Sequence, residues 1–490
     1  MVEWLDERVV VVSCAGACAA SFAACLSRQA ALEASMSSGR TTVLAHGGGR
    51  VTAADVETAG GALKPSDVGG SLADAVVRAV REFAKSSSRE VVLSARRLDG
   101  ELTAEAIEAC GARAVFATSD GSSLSVACGI SELCERVRAV RGAQGKELTF
   151  VYVSAGALTG TVFVDAGRRA AGERTLYEAV RPSSTAAMVE AAATSRDQTK
   201  CALHYEFLMS HPETAPLLGK SAVKPDAVAE RAPATASVCS MVGAVAVGKV
   251  LRASASGASV GALQQWTHVE ALDLYRPDRA DAHAPPKPVM DEYQTLPSAD
   301  EGGHVDMNVG DDFEGYENQA NVYGYDAMNK LREMLVLVCG RDAEANDACA
   351  TALASVGIRT VDIFGSSGSG RFLREECDVD DLCDLDDMES YKYHAIVRTS
   401  ACAAADELIA AANEVRTPVI EITSAEPSKA RVHVNLGSKT KFDRGTFMGW
   451  MDASTAIVAA HIAAMEVVRI AQKRERETSI ELCQDGIFAA

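Results

Sequence analysis

Two turns hold the residues best placed to bring a phosphate to this chain, and each follows an apolar, β-branched run. The first is Cys14-Ala15-Gly16-Ala17-Cys18 and the second is Cys339-Gly340-Arg341-Asp342-Ala343. A phosphate turn needs glycines so that backbone N–H groups at a helix start can close on the anion. Each turn has one, and Asp342 sets a negative charge where the phosphate would sit. Both read as plain strand–helix turns.

Other segments fit known chemistry less well. His46-Gly47-Gly48-Gly49 is reminiscent of the oxyanion loop of some esterases, and it reads as a flexible βα loop. Gly365-Ser366-Ser367-Gly368-Ser369-Gly370 is followed by no Lys-Ser/Thr pair, so it is a surface loop and not a Walker loop. The acidic run from Asp378 to Asp387 lacks the central glycine and terminal bidentate glutamate of an EF-hand, and reads as a solvated loop open to a basic partner. Cys201 is the one thiol to name as a reactive candidate, with packing as its alternative role. No catalytic, cofactor-binding or metal-ligating residue is assigned.

The elements that would position these turns follow from composition. The chain has 490 residues, 48% hydrophobic and 5% aromatic. Its core must therefore rest on Ala, Val, Leu and Ile, as in sheets sandwiched between helices. The net charge of −19 excludes non-specific nucleic-acid binding. No stretch approaches the roughly 18 continuous apolar residues of a membrane span, and the start MVEWLDE has neither a basic nor an apolar region of a leader. The 14 cysteines include no C-x-x-C pair, which points to buried thiols in a reducing compartment and against zinc.

Arg8–Ser13 is a short β-branched strand, residues 14–20 a turn, and Ser21–Leu32 a helix. Strands follow at 41–45, 91–94, 114–119, 149–154 and 161–165, with helices at 72–85 and 124–141. A helix is expected at 199–209, and a nearly all-apolar one at 234–252. Residues 264–275 read as a closing strand pair. Residues 276–325, with Pro277, Pro285, Pro286, Pro288 and Pro297 among many acids, read as an exposed linker. A second unit then runs through strands at 334–339, 360–364, 394–399, 418–423 and 430–436, and helices at 343–355, 404–414 and 453–473. The expected class is α/β: two doubly wound, mostly parallel Rossmann-like units, the second shorter and degenerate. The divisions are 5–275, a linker over 276–330, and 331–475.

The units repeat each other in order. AVFATSD (114–120) matches AIVRTSA (395–401), and TFVYVSA (149–155) matches PVIEITSA (418–425). VFVDAG (162–167) matches VHVNLG (432–437). CSMVGAVAVGKVLR (239–252) parallels the helix around 454–471.

Four stretches carry a family resemblance. RVVVVSCAGACAASFAACL lies where a degenerate nucleotide turn would be, and FVYVSAGALTGTVFVDAG resembles a strand–turn–strand of the form F-x-G-x-x-G-x-x-G-x-x-F-x-D-L-G. ATASVCSMVGAVAVGKVLRA resembles an E-x-x-P-V-x-A-V-V-G-G-x-x-A-Q-E-V-x-K helix, and WTHVEALDLYRP fits the closing strands. Over residues 5–275 the chain resembles the ThiF-type adenylation fold of enzymes that activate ubiquitin-like proteins, above all the small, non-catalytic subunit of the heterodimeric SUMO-activating enzyme.

The departures define the expectation. The start MVEWLDERVV stands where that family has Y-D-R-Q-I-R-L-W-G, and Arg8 is the only nearby arginine. The second strand ends in Ala45-His46 and not in an acid, and Arg78 and Arg81 only loosely echo N-R-x-x-R. The resemblance thus implies a regulatory subunit, in nucleus and cytoplasm, that completes the adenylation site of a catalytic partner. ATP and Mg would be bound by that partner, and a ubiquitin-like modifier would be the substrate. The helix at 234–252 and the sheet face beside it would form part of the interface. Open alternatives are a pseudo-enzyme scaffold of two internally paired units, the Nedd-type regulatory subunit, and an active nucleotide- or dinucleotide-dependent enzyme.

Overall fold

The computed structural model describes residues 7–34, 39–118, 124–141, 148–156, 159–167, 175–176, 234–254, 266–270, 315–316, 319–320, 323–365, 372–373, 377–382, 393–400, 403–414, 416–426, 429–435, 452–472, 478–483 and 486–489. The expected helix at 199–209, Cys201, most of the 276–325 linker and residues 366–370 of the Ser/Gly loop lie outside them.

The first unit runs β1 (Glu7–Ser13), α1 (Ala17–Ala34), β2 (Arg40–His46), α2 (Ala53–Thr58), α3 (Leu72–Ser86), β3 (Leu93–Arg97), α4 (Ala104–Ala109), β4 (Ala114–Thr118), α5 (Leu124–Arg141), β5 (Thr149–Ala155), β6 (Thr159–Asp165), α6 (Ala236–Ser254) and β7 (Trp266–Glu270). The second runs α7 (Tyr325–Glu333), β8 (Leu335–Gly340), α8 (Ala343–Val356), β9 (Thr360–Gly365), β10 (Asp378–Leu382), β11 (Ala395–Arg398), α9 (Ala403–Glu414), β12 (Val419–Glu426), β13 (Lys429–Asn435), α10 (Ala453–Ala471), β14 (Thr478–Cys483) and β15 (Gly486–Ala489).

The sheets have the orders β3-β2-β1-β4-β5-β6-β7 and β10-β9-β8-β11-β12-β13-β14-β15. In each, the first five strands are parallel and the rest antiparallel. This is the doubly wound α/β class, built twice. The central parallel strands β1, β4 and β5 are continuous apolar runs because helices cover both faces: Val10, Val11, Val12, Phe116, Phe150 and Tyr152 are all fully buried.

The same registers align the repeat without a gap. Val10–Val12 pair with Ala114–Phe116, and Val336–Val338 pair with Ala395–Val397. Counting on from there places Gly16 on Asp342 and Cys25 on Thr351. The second unit has shorter connections: residues 47–92, which include α2 and α3, separate β2 from β3, whereas residues 366–377 separate β9 from β10, and residues 166–235 separate β6 from α6, whereas residues 436–452 separate β13 from α10.

Several boundaries differ from the sequence reading. The helix after β1 starts at Ala17, so the turn is only Cys14–Gly16; alanines of high helix propensity carry the helix forward. The strand expected at 91–94 is Leu93–Arg97, because Val92 and Leu93 donate to Arg89 O in a turn and Val91 is exposed. Of the expected strand pair at 264–275, β7 is described.

The acidic run is not wholly a loop. Its first part is β10, an edge strand paired in parallel with β9, and alternate acids can face solvent there. The linker also ends sooner than 330. Tyr316 Oη donates to Ala354 O (3.1 Å) and Gln319 Nε2 to Ser355 O (3.2 Å), satisfying the last carbonyls of α8, and both residues are buried. Lys330 Nζ does the same for Ala471 O at the end of α10 (3.1 Å). The C-terminal hairpin β14–β15 was not expected, and β15 lies beside β7 of the first sheet.

The apolar stretches Ala236–Ala253 and Ala453–Ala471 are long and apolar enough to cross a membrane by length and composition. Inside this protein they are core, 67% and 94% buried respectively.

Candidate functional site

In a doubly wound sheet a ligand binds beyond the carboxyl ends of the strands, where the crossovers part to opposite faces. Here those places are β1/β4 and β8/β11, and the described turns there are bonded to neighbouring segments of the chain.

At the first, Cys14 N donates to His46 O (2.7 Å), tying the turn to the end of β2. The His46–Gly49 loop therefore lies directly on the turn. Gly47 allows this twice over: its φ is +134°, and a Cβ there would stand 2.9 Å from Cys14 O. Cys14 is buried, and burial pushes its thiol up to about 12, so it is no nucleophile. His46 Nε2 is 3.0 Å from Gly100 O.

The arginines are engaged elsewhere. Arg8 stands at the opposite end of β1 from the turn, buried and paired with Glu33 at 3.2 Å. Arg78 binds Asp67 and Glu82, and Arg81 Nε donates to Ala95 O (2.9 Å).

At the second place side chains bond across the turn. Asp342 is the N-cap of α8, its Oδ1 accepting from Ala345 N (3.1 Å). Arg341 N donates to Ser400 Oγ (2.6 Å), and Asn346 Nδ2 donates to Gly340 O (3.0 Å). The carboxylate thus stands at the positive end of the α8 dipole and takes up one of its free N–H groups. Gly340 has no Cβ because one would run into Thr399 and Ser400.

What the structure does assemble is a seam between the units. Helix α6 packs on β5 and β6, on α1, and on α10 of the second unit; α8 packs on α10. One hydrophobic core runs through both units, from Val10 and Phe22 to Met328 and Val468. Gly243 lets α6 come so near α1 that a Cβ would meet Phe22 N at 3.0 Å.

Polar groups fix the register of the seam. Arg28, in the middle of α1, is fully buried, donating to Glu344 Oε1 (3.1 Å) and Thr351 Oγ1 (2.9 Å) on α8. Burial raises the Glu344 carboxyl and the Arg28 charge opposes this. Gln29 Oε1 accepts from Ala453 N (2.9 Å), so a first-unit side chain caps a second-unit helix. Phe372 reaches back from the second unit to stack on Phe83 (centroids 4.9 Å apart), with the Arg28 guanidinium 5.8 Å from its ring centre. Sequence reasoning missed Arg28, Gln29 and Phe372: a buried Arg on an alanine-rich helix was the available signal.

No protein-family model matches the chain, and no curated protein matches it. Among solved structures it is similar to selenomethionine PaaA, with 16% identity over 38% of this chain and 74% of that one (TM-score 0.29). It is also similar to E. coli MccB, with 12% identity over 37% of this chain and 70% of that one (TM-score 0.29), and to MccB with succinimide, with 14% identity over 36% and 70% (TM-score 0.28).

Proposed function

We propose that the chain is a non-catalytic scaffold in which two adenylation-type units are fused and paired on each other. One observation carries this reading. Helix α6, apolar on nearly all sides, has its outer face covered by α10 of the same chain. An exposed face of that size would call for a second protein; here the chain supplies the cover itself. The single glycine in the turn at Cys14–Cys18 and the Asp342 cap at the start of α8 support a reading without nucleotide chemistry in either unit. Light scattering on the purified chain and calorimetry with ATP and Mg²⁺ test it. A monomer without binding heat is expected; an obligate dimer or a micromolar ATP site would sink the reading.

The regulatory role in modifier activation is a narrower form of the same idea. It draws support from the resemblance of 150–167 and 234–253, and it puts ATP and Mg on a catalytic partner. Because α6 is occupied within the chain, such a partner would dock on another face. Co-expression with a SUMO- or Nedd-type catalytic subunit tests this: adenylation that does not depend on this chain, with no co-purification, rules it out.

A further inference from the structure

A small cavity of about 30 Å³ lies in the seam where α1, α6, α8 and α10 converge. Its wall is shared by the two units in matched pairs. Cys25 and Thr351 are counterparts by the strand registers, and Ser240 and Ile457 hold the same place in the equally long helices α6 and α10, four residues after the first; all four line it. The cavity therefore lies where equivalent helices of the two units meet reciprocally, α1 with α10 and α6 with α8, as in an isologous interface.

Two polar groups in this wall have no hydrogen-bond partner among the described residues. Ser21 Oγ comes from α1 and His461 Nδ1 from α10, and the two residues are only 5% and 2% exposed. A buried hydroxyl or imidazole nitrogen left unbonded costs about 1–3 kcal/mol. Neither can turn to solvent. The space exceeds the roughly 10–15 Å³ that one water requires, and Thr351 and Ser240 add polar groups to the lining. A neutral occupant fits better than an anion, because the guanidinium of Arg28 is already paired with Glu344 and Thr351.

We propose that this cavity is a hydration site: an ordered water bridges Ser21 Oγ of the first unit to His461 Nδ1 of the second and is part of the joint between them. The inference rests on the internal pairing proposed above. It makes the centre of the seam wet, held through a shared water, while the surrounding seam is held by direct packing.

A crystal structure of the full chain, at a resolution that shows ordered water, tests both levels separately. Density within hydrogen-bond distance of both atoms, with the units paired as described, is the expected result. Paired units around a cavity without water overturn the hydration site alone, and units that do not pair overturn the pairing reading as well. Thermal unfolding of Ser21→Ala, His461→Leu and the double variant provides a second measurement. A shared water predicts that the double variant loses less midpoint temperature than the two single losses added together; strictly additive losses count against it.

Discussion

Arg28 Nη1 lies 3.1 Å from Glu344 Oε1, joining the middle of α1 to the first turn of α8 across the two units. The Arg28 side chain is 2% exposed and that of Glu344 18%, so neither charge has free access to water. Arg28→Ala leaves the carboxylate without its cation and should destabilise the chain by about 3 kcal/mol. Arg28→Met with Glu344→Leu should recover most of that loss, since the apolar pair removes both desolvation costs. Urea unfolding of the three variants measures it; a loss below about 1 kcal/mol for Arg28→Ala would mean that this pair does not hold the seam.

Gly61 and Phe372 test the contact made by the second unit on the first. Gly61 has φ +86°, and a Cβ there would stand 2.5 Å from Phe372 O. Gly61→Ala should cost about 2 kcal/mol or more, from the left-handed conformation and the displaced backbone together. Phe372→Ala should cost about 3 kcal/mol. In the Phe372→Ala background the Gly61 change should cost less, because the segment it pushes against has already lost its anchor.

His461 predicts a loss of stability in acid. Burial, and then the Arg28 charge, hold its pKa down to about 3, below the ordinary 6.5. As pH falls through 6.5 the unfolded chain takes up a proton that the folded chain refuses. Its contribution is therefore full above pH 6.5 and declines toward pH 3, by about 1 kcal/mol per pH unit. His461→Leu should flatten that part of the profile. Denaturant midpoints between pH 7 and pH 5 for the two proteins give the comparison, and parallel profiles would contradict it.

Cys18 Sγ and Cys239 Sγ are 3.5 Å apart, on the first turns of α1 and α6. An approach of about 1.5 Å would form a disulfide. Diamide, which takes up the two electrons and two protons, should link these two before any other described pair. Peptide mapping without reduction should show the 18–239 link, and Cys18→Ser should abolish it. A link between other cysteines in its place would show that access, and not proximity, governs oxidation.

Asp342→Ala should cost about 1 kcal/mol through loss of the α8 cap, while Asp342→Ser should restore most of it. Neither change should create ATP binding, since Ser400 and Asn346 still occupy the turn. Thermal midpoints and calorimetry check the two halves of this prediction.

The strands were legible because their cause is local. A β-branched apolar run such as Val9–Val12 has few conformations other than a buried strand. The turns were legible as degenerate for a similar reason: a missing glycine or an added Asp342 is visible without the fold. The edge strand β10 was not. Its acids resemble a loop in the sequence, and only pairing with β9 gives their backbone a regular partner. Tyr316 and Lys330 fall in the expected linker over 276–330 because their role, capping the ends of α8 and α10, depends on helices further along the chain.

By itself, the sequence determined two α/β units in series, their repeat, the scarcity of glycine in both turns and an unusually apolar helix at 234–252. It could say that this helix is buried, because nearly every side of it is apolar, but not by what. That was decided in the tertiary structure, where α10 and α1 close on α6 and Arg28, Gln29 and Phe372 set the register. The reason is physical. Hydrophobic burial is non-directional, so an apolar surface specifies that it must be covered and leaves open what covers it. Only shape and a few buried polar pairs, brought together from residues hundreds of positions apart, choose the second half of the same chain.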